Sequence, residues 1–226
     1  MKPLWTDPSP MAVGVWDTRA ESSTQLAVRL KRALDGIDQL GAGGTWVTPD
    51  GEPIDPSVDL EPFVAAHMSR DDHGDPVPED GYSMSVSKQG RLGVGLTVKA
   101  GRGVPGRRVP ANRFTLFLTG GPRHDDIVAL FRVFTEAWSP TSASVRDERA
   151  TMASKGRGAW APFVGQVTWV GSELGSPVAA VDGVEFIKAS GGTLIVASPR
   201  LDPEQAVAAA LEVLDRNGIS TTRPDQ

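Results

Sequence analysis

The sequence predicts an α+β fold: a largely antiparallel sheet of about six or seven strands flanked by three amphipathic helices. Seven short runs rich in β-branched or aromatic residues are bounded by Gly, Ser or Pro, as strands are. Two pairs of these runs are joined by links so short that they imply antiparallel pairing. The helical patterns enter singly among the strands, which reads as α+β and not as alternating parallel units. A chain of 226 residues is long enough to bury a sizeable core, and one domain over residues 1–226 is expected.

The first strand, residues 12–16, ends on Trp16. Thr18 and Glu21 then have the spacing of a capping box, and Leu26, Leu30, Ala33, Leu34, Ile37 and Leu40 recur at three- and four-residue steps until Gly41 stops the helix. Residues 50–80 follow with ten acids against one base, Arg70, and with five prolines. This segment is expected to be a long acidic loop or lid, helical in look only over residues 60–68. Strands over residues 82–87 and 92–99 are joined through Gln89-Gly90-Arg91.

Residues 101–106 fit a G-x-G-x-x-G spacing, but Pro105 and Pro110 block the helix that a dinucleotide site requires, and residues 114–119 read as a strand. Arg102, Arg107, Arg108 and Arg113 form a basic stretch without interleaved aromatics, so nucleic acid is not the expected partner. The second helix starts after Gly120-Gly121-Pro122, with Asp125 and Asp126 at the positive end of its dipole. It carries Ile127, Leu130, Phe131, Phe134 and Trp138 on one side. A strand over residues 164–170 gives Phe163, Val167 and Trp169 one apolar face. Strands over residues 184–188 and 193–197 form a second hairpin. The third helix has Asp202 as N-cap, Pro203 at its first position, Gln205 three after the cap, and Gly218 at its end.

Several chemistries are excluded or weakened. With no cysteine there is no disulfide, thiolate nucleophile or thiolate metal site. The tripeptide His124-Asp125-Asp126 sends its side chains in different directions, which suits a helix start better than a metal. His67 and His73 lie among Asp71, Asp72 and Asp75, but the twelve-residue calcium-loop spacing is absent. Gly171-Ser172 lacks the order of a nucleophile elbow. No catalytic residue, metal or cofactor is expected. No apolar run approaches the length of a membrane span, and the first ten residues lack a signal-peptide core, which places the chain in the cytoplasm.

The net charge of −5 conceals an asymmetry: residues 50–80 carry −9 and the remainder +4. Such a local negative field attracts basic surfaces.

One set of residues carries a family resemblance. Trp16, Arg19, Glu21 and Ser22 run into the first helix, Trp46 follows it, and Trp138-Ser139-Pro140 ends the second helix. Gly165-Gln166-Val167-Thr168-Trp169-Val170 lies in a late strand, and Gly191-Gly192-Thr193-Leu194-Ile195-Val196 precedes the last helix. In this order the chain resembles the immunity protein 52 family, antidotes of bacterial polymorphic toxins and secreted effectors. The resemblance implies a cytoplasmic, non-enzymatic protein that binds and blocks a cognate toxin, often one with a nuclease domain.

On that reading Asp71, Asp72, Asp75, Glu79 and Asp80 steer association with the basic groove of a nuclease, and Trp46 and Trp160 supply exposed contact area. Trp16, Arg19, Glu21, Trp138, Trp169, Gly191 and Gly192 are the structural part of the motif, with Trp16 a packing anchor and Arg19 free for a carboxylate. A different class remains open: a small hydrolase or a metal- or ligand-binding enzyme with its site beneath the loop at 50–80. An oligomeric scaffold is a third.

Overall fold

The computed structural model describes residues 10–106, 108–220 and 222. The first nine residues, read above for a leader, and Arg107 of the basic stretch lie outside them. The architecture is α+β, built on one antiparallel sheet of ten strands, more than the six or seven expected. Its elements in chain order are β1 (Met11–Trp16), α1 (Ser23–Gln39), β2 (Trp46–Val47), β3 (Pro53–Ile54), α2 (Glu61–Ala66), β4 (Tyr82–Lys88), β5 (Gly93–Ala100) and β6 (Asn112–Thr119). Then come α3 (His124–Trp138), β7 (Ser142–Arg146), α4 (Glu148–Ala153), β8 (Val167–Gly171), β9 (Val184–Ala189), β10 (Gly192–Ala197) and α5 (Pro203–Arg216). The strand order is β3-β2-β4-β5-β6-β1-β7-β8-β10-β9.

The first strand is central. Met11 pairs with Phe117 of β6 on one side and Arg146 of β7 on the other, so the two halves of the sheet close on β1. Both expected hairpins form: Lys88 pairs with Val94 and Ala189 with Gly192. The strands the sequence does not announce are β2, β3 and β7. The first two hold two residues each, too few for any period. In β7 the run Ser-Ala-Ser-Val is buried on both faces, so small residues replace the polar–apolar alternation.

Alternate residues divide the core. Trp169 and Leu194 join Trp16, Leu30, Ile37, Phe114, Phe131 and Trp138 beneath α1, α2 and α3. Val170 and Ile195 face the opposite way and pack with Val207, Val213 and Leu214 of α5 and Ala150 of α4. Each Leu or Ile wholly buried this way contributes roughly 1.5–3 kcal/mol. Phe163 does not share a face with Val167 and Trp169, as the expected strand would require. β8 begins only at Val167, because Gly165 packs so closely on the Val145 carbonyl that no side chain fits there, and the Phe163 ring lies 5.1 Å from the Arg146 guanidinium.

Away from α4 and α5 the second face of β4, β5 and β6 carries two polar rows beside the exposed Phe117. Ser85, Thr97 and Thr115 form one row, and Ser83, Lys99 and Arg113 the next. Two margins end the sheet: β3, which contains Pro53, and β9, whose Glu185 and Lys188 are exposed. Among the described residues no helix is long and apolar enough to cross a membrane.

The helix ends follow the expected chemistry with one correction. Asp202 accepts the Gln205 amide at 2.8 Å and Gln205 returns the bond, a complete capping box with Pro203 at the first position. In α1 the cap is Ser22 with Gln25, not Thr18 with Glu21. The Glu21 carboxylate is occupied elsewhere.

Candidate functional site

Glu21 has 6% of its side chain exposed and lies between two guanidinium groups, Arg19 at 2.9 Å and Arg29 at 2.5 Å. These arginines donate to the last carbonyls of α3: Arg29 to Ala137 at 2.8 Å, and Arg19 to Trp138 at 2.6 Å and Ser139 at 3.2 Å. Cations belong at a helix C-terminus, where the backbone leaves carbonyls unpaired and the dipole is negative. Burial pulls the Arg19 pKa below its ordinary value, opposed mainly by the Glu21 charge. Arg19 also lies 4.8 Å from the centre of the Trp16 ring, which stacks on Trp138 at 6.2 Å. The Trp169 indole donates to Pro140 at 2.8 Å, and an added Cβ at Gly192 would meet the Trp169 ring at 2.6 Å. The structural motif residues therefore converge on one joint between β1, α3 and the β8–β10 pair. Arg19 is not free for a partner carboxylate, since Glu21 already fills that role.

The acidic segment is more ordered than a lid. Leu60 and Val64 bury the short α2 against α1, where Glu61 accepts the hydroxyls of Ser23 at 3.0 Å and Thr24 at 2.8 Å. Residues 68–82 then form a hairpin with bridges Met68 to Tyr82 and Arg70 to Pro76. At its tip the Asp71 carboxylate accepts the amides of His73 and Asp75, both at 2.9 Å, while Gly74 supplies a φ of +87°. Asp80 pairs with Arg102 at 3.2 Å. Asp72, Asp75 and Glu79 are exposed, and their carboxylates make no hydrogen bond or ion pair among the described residues. Asp55, near β3, has its pKa lowered by the backbone N–H and then the hydroxyl of Ser57.

Two of the expected contact residues do not belong to this surface. Trp46 is buried, with 1% exposed, because its indole donates to Asp38 at 3.0 Å and Lys88 spans its ring while pairing with the same carboxylate. Trp160 is half-buried and its carbonyl accepts both the amide and the hydroxyl of Thr222, at 2.7 and 2.9 Å. It lies beyond β7 in the half of the fold built on β8, whereas the hairpin leads into β4. Those strands are five spacings apart, about 24 Å. The acidic residues form one surface without either tryptophan.

Sequence reading missed two concave features. A groove of about 700 Å³ runs between α3 and the margin strand β9, lined by His124, Asp125, Val128, Arg132, Glu185 and Ile187. Burial pushes the His124 imidazole below its ordinary pKa, against the pull of Asp125 and Glu185. A second cleft, of about 380 Å³, opens at the foot of the acidic hairpin, and three cations, Arg70, Lys99 and Arg102, are among its lining residues. Neither is legible before strand register is known. Among the described residues no group of three or more His, Asp or Glu is placed to hold a metal ion.

The class defined by this geometry is a ten-stranded antiparallel sheet with helices packed unequally on its two faces and an ordered acidic hairpin at one end. A solved structure described as T6SS protein PA0821 of Pseudomonas aeruginosa is similar to it, with a TM-score of 0.50 and 12% identity, over 93% of this chain and 72% of that one. At that identity the likeness is one of fold. No family model matches the chain, and no curated protein does.

Proposed function

We propose that this chain is an immunity-type protein of a bacterial secretion-system toxin pair, acting in the cytoplasm by binding its toxin and occluding the toxin's active groove without catalysing a reaction. The observation that carries the reading is the hairpin over residues 68–82, where backbone and Asp71 hydrogen bonds hold Asp72, Asp75 and Glu79 exposed on a fixed frame. A nuclease domain presents cations to phosphate, and a preordered row of carboxylates is complementary to it at little entropic cost. The shared fold with a T6SS protein and the series of motif residues from Trp16 to Val196 support the same reading.

The test is co-expression with the product of the neighbouring gene. A stoichiometric complex whose association rate falls with added salt is expected, and replacing Asp71, Asp72 and Asp75 by Lys should slow association at least several-fold. A rate indifferent to both salt and the triple substitution would remove the hairpin from the interface.

A further inference from the structure

At the foot of the acidic hairpin the sign of the charge reverses. The cleft there is lined by Arg70, Lys99 and Arg102, with Asp80 as its carboxylate and Ser69 and Ser83 among its polar walls. Its construction follows from register: Ser83, Lys99 and Arg113 lie side by side on β4, β5 and β6, so their side chains share the face on which the hairpin stands. Arg70 is fixed by a bond to the Gly74 carbonyl at 2.7 Å. Arg102 pairs with Asp80, yet its Nε–H is buried and meets no acceptor. A buried donor left this way is costly unless something else accepts from it. Among the described residues neither Lys99 nor Arg113 forms an ion pair.

We propose that this cleft binds a phosphate group. Three cations less one carboxylate leave a charge of +2, which a phosphate dianion neutralises and a carboxylate does not. A guanidinium with one arm on Asp80 keeps further N–H donors for a tetrahedral anion, and Lys99 adds a mobile point charge. The Ser83 hydroxyl makes no other hydrogen bond among the described residues and supplies a neutral donor at the same wall. The site goes beyond toxin binding and stands or falls without it, since the hairpin's carboxylates and the cleft's cations address ligands of opposite sign.

The experiment is amide-resolved NMR of the chain alone, titrated with inorganic phosphate against chloride at matched ionic strength. Saturable shifts confined to residues around Ser69, Ser83, Lys99 and Arg102 are expected, with a dissociation constant of about 1 mM. Lys99→Ala, at an exposed position, should weaken binding about five-fold, and Asp80→Asn should tighten it by a similar factor. A nucleoside monophosphate binding no more tightly than inorganic phosphate shows that the phosphate alone is read, while a ten-fold tighter constant shows that the cleft also holds the nucleoside; both keep the site. Shifts that fail to saturate, or that spread over the protein's cations and ignore both substitutions, overturn it.

Discussion

The amide of Asp75 donates to the Asp71 carboxylate at 2.9 Å, and the Asp75 carbonyl accepts the Asp71 amide at the same distance. One acid therefore both carries charge and closes the turn that displays its neighbours. Asp71→Asn retains an oxygen acceptor, so it should leave the urea midpoint unchanged while slowing association with a basic partner. Asp71→Ala loses both and should cost about 0.5–1 kcal/mol of stability. Identical midpoints for the two variants would show that the carboxylate does not hold the turn.

Trp46 serves the core. Trp46→Ala should destabilise the fold by about 3–5 kcal/mol through lost volume, whereas Trp46→Phe, which keeps most of the ring but not the bond to Asp38, should cost roughly 1–2 kcal/mol. In a folded Trp46→Phe variant, association with a toxin should proceed at the unaltered rate. A slowed rate there would return the residue to the interface.

Glu21 is the counter-ion of two arginines, each about a quarter exposed. Glu21→Gln preserves shape and removes charge, leaving both guanidinium groups at the α3 carbonyls without compensation. Solvent screening of the arginines places the expected loss below the roughly 3–5 kcal/mol of a fully buried pair, at about 2 kcal/mol. Chemical denaturation measures it, and a loss below about 0.5 kcal/mol would mean that the carbonyls suffice.

Two glycines should rank in a definite order. At Gly192 a methyl group would press on the Trp169 ring and the Val170 carbonyl, so Gly192→Ala is expected to cost about 2–3 kcal/mol. At Gly41, with φ at +71° and open space around it, Gly41→Ala should cost about 1 kcal/mol from backbone strain alone. Thermal midpoints in the reverse order would contradict the packing at the β8–β10 joint.

His124 gives a pH dependence. Its folded pKa lies below the ordinary value of 6.5 because burial disfavours the imidazolium. Between the two values the unfolded chain binds more protons, so stability falls as pH drops through that window and is fully present above it. His124→Gln should flatten the stability curve in the pH range just below 6.5. A curve unchanged by the substitution would assign any slope there to other groups.

The parts of this molecule governed by local chemistry were readable in advance. Asp202, Pro203 and Gln205 cap α5 by themselves, and the hairpins at Gly90 and at Gly191-Gly192 need no distant partner. What escaped reading depends on residues far apart in the chain. Ser22 caps α1 because Arg29 and Arg19 claim Glu21, and Trp46 is buried because Lys88, far along the chain, meets Asp38 beside it. The strand β7 carries no pattern, since a strand enclosed on both faces by close neighbours is selected for smallness, not for alternation. The acidic surface was visible as composition. Its division into caps, an ion pair and free carboxylates was not.

A sheet that stops, instead of closing on itself, offers its outermost backbone to any passing strand. Here one limit is Pro53, whose ring nitrogen has no hydrogen to give, in a strand of two residues. The other is β9, where stacking a second molecule alongside would require Glu185 and Lys188 to shed their water. The molecule is thus guarded against fibrous growth by geometry at one limit and by hydration at the other.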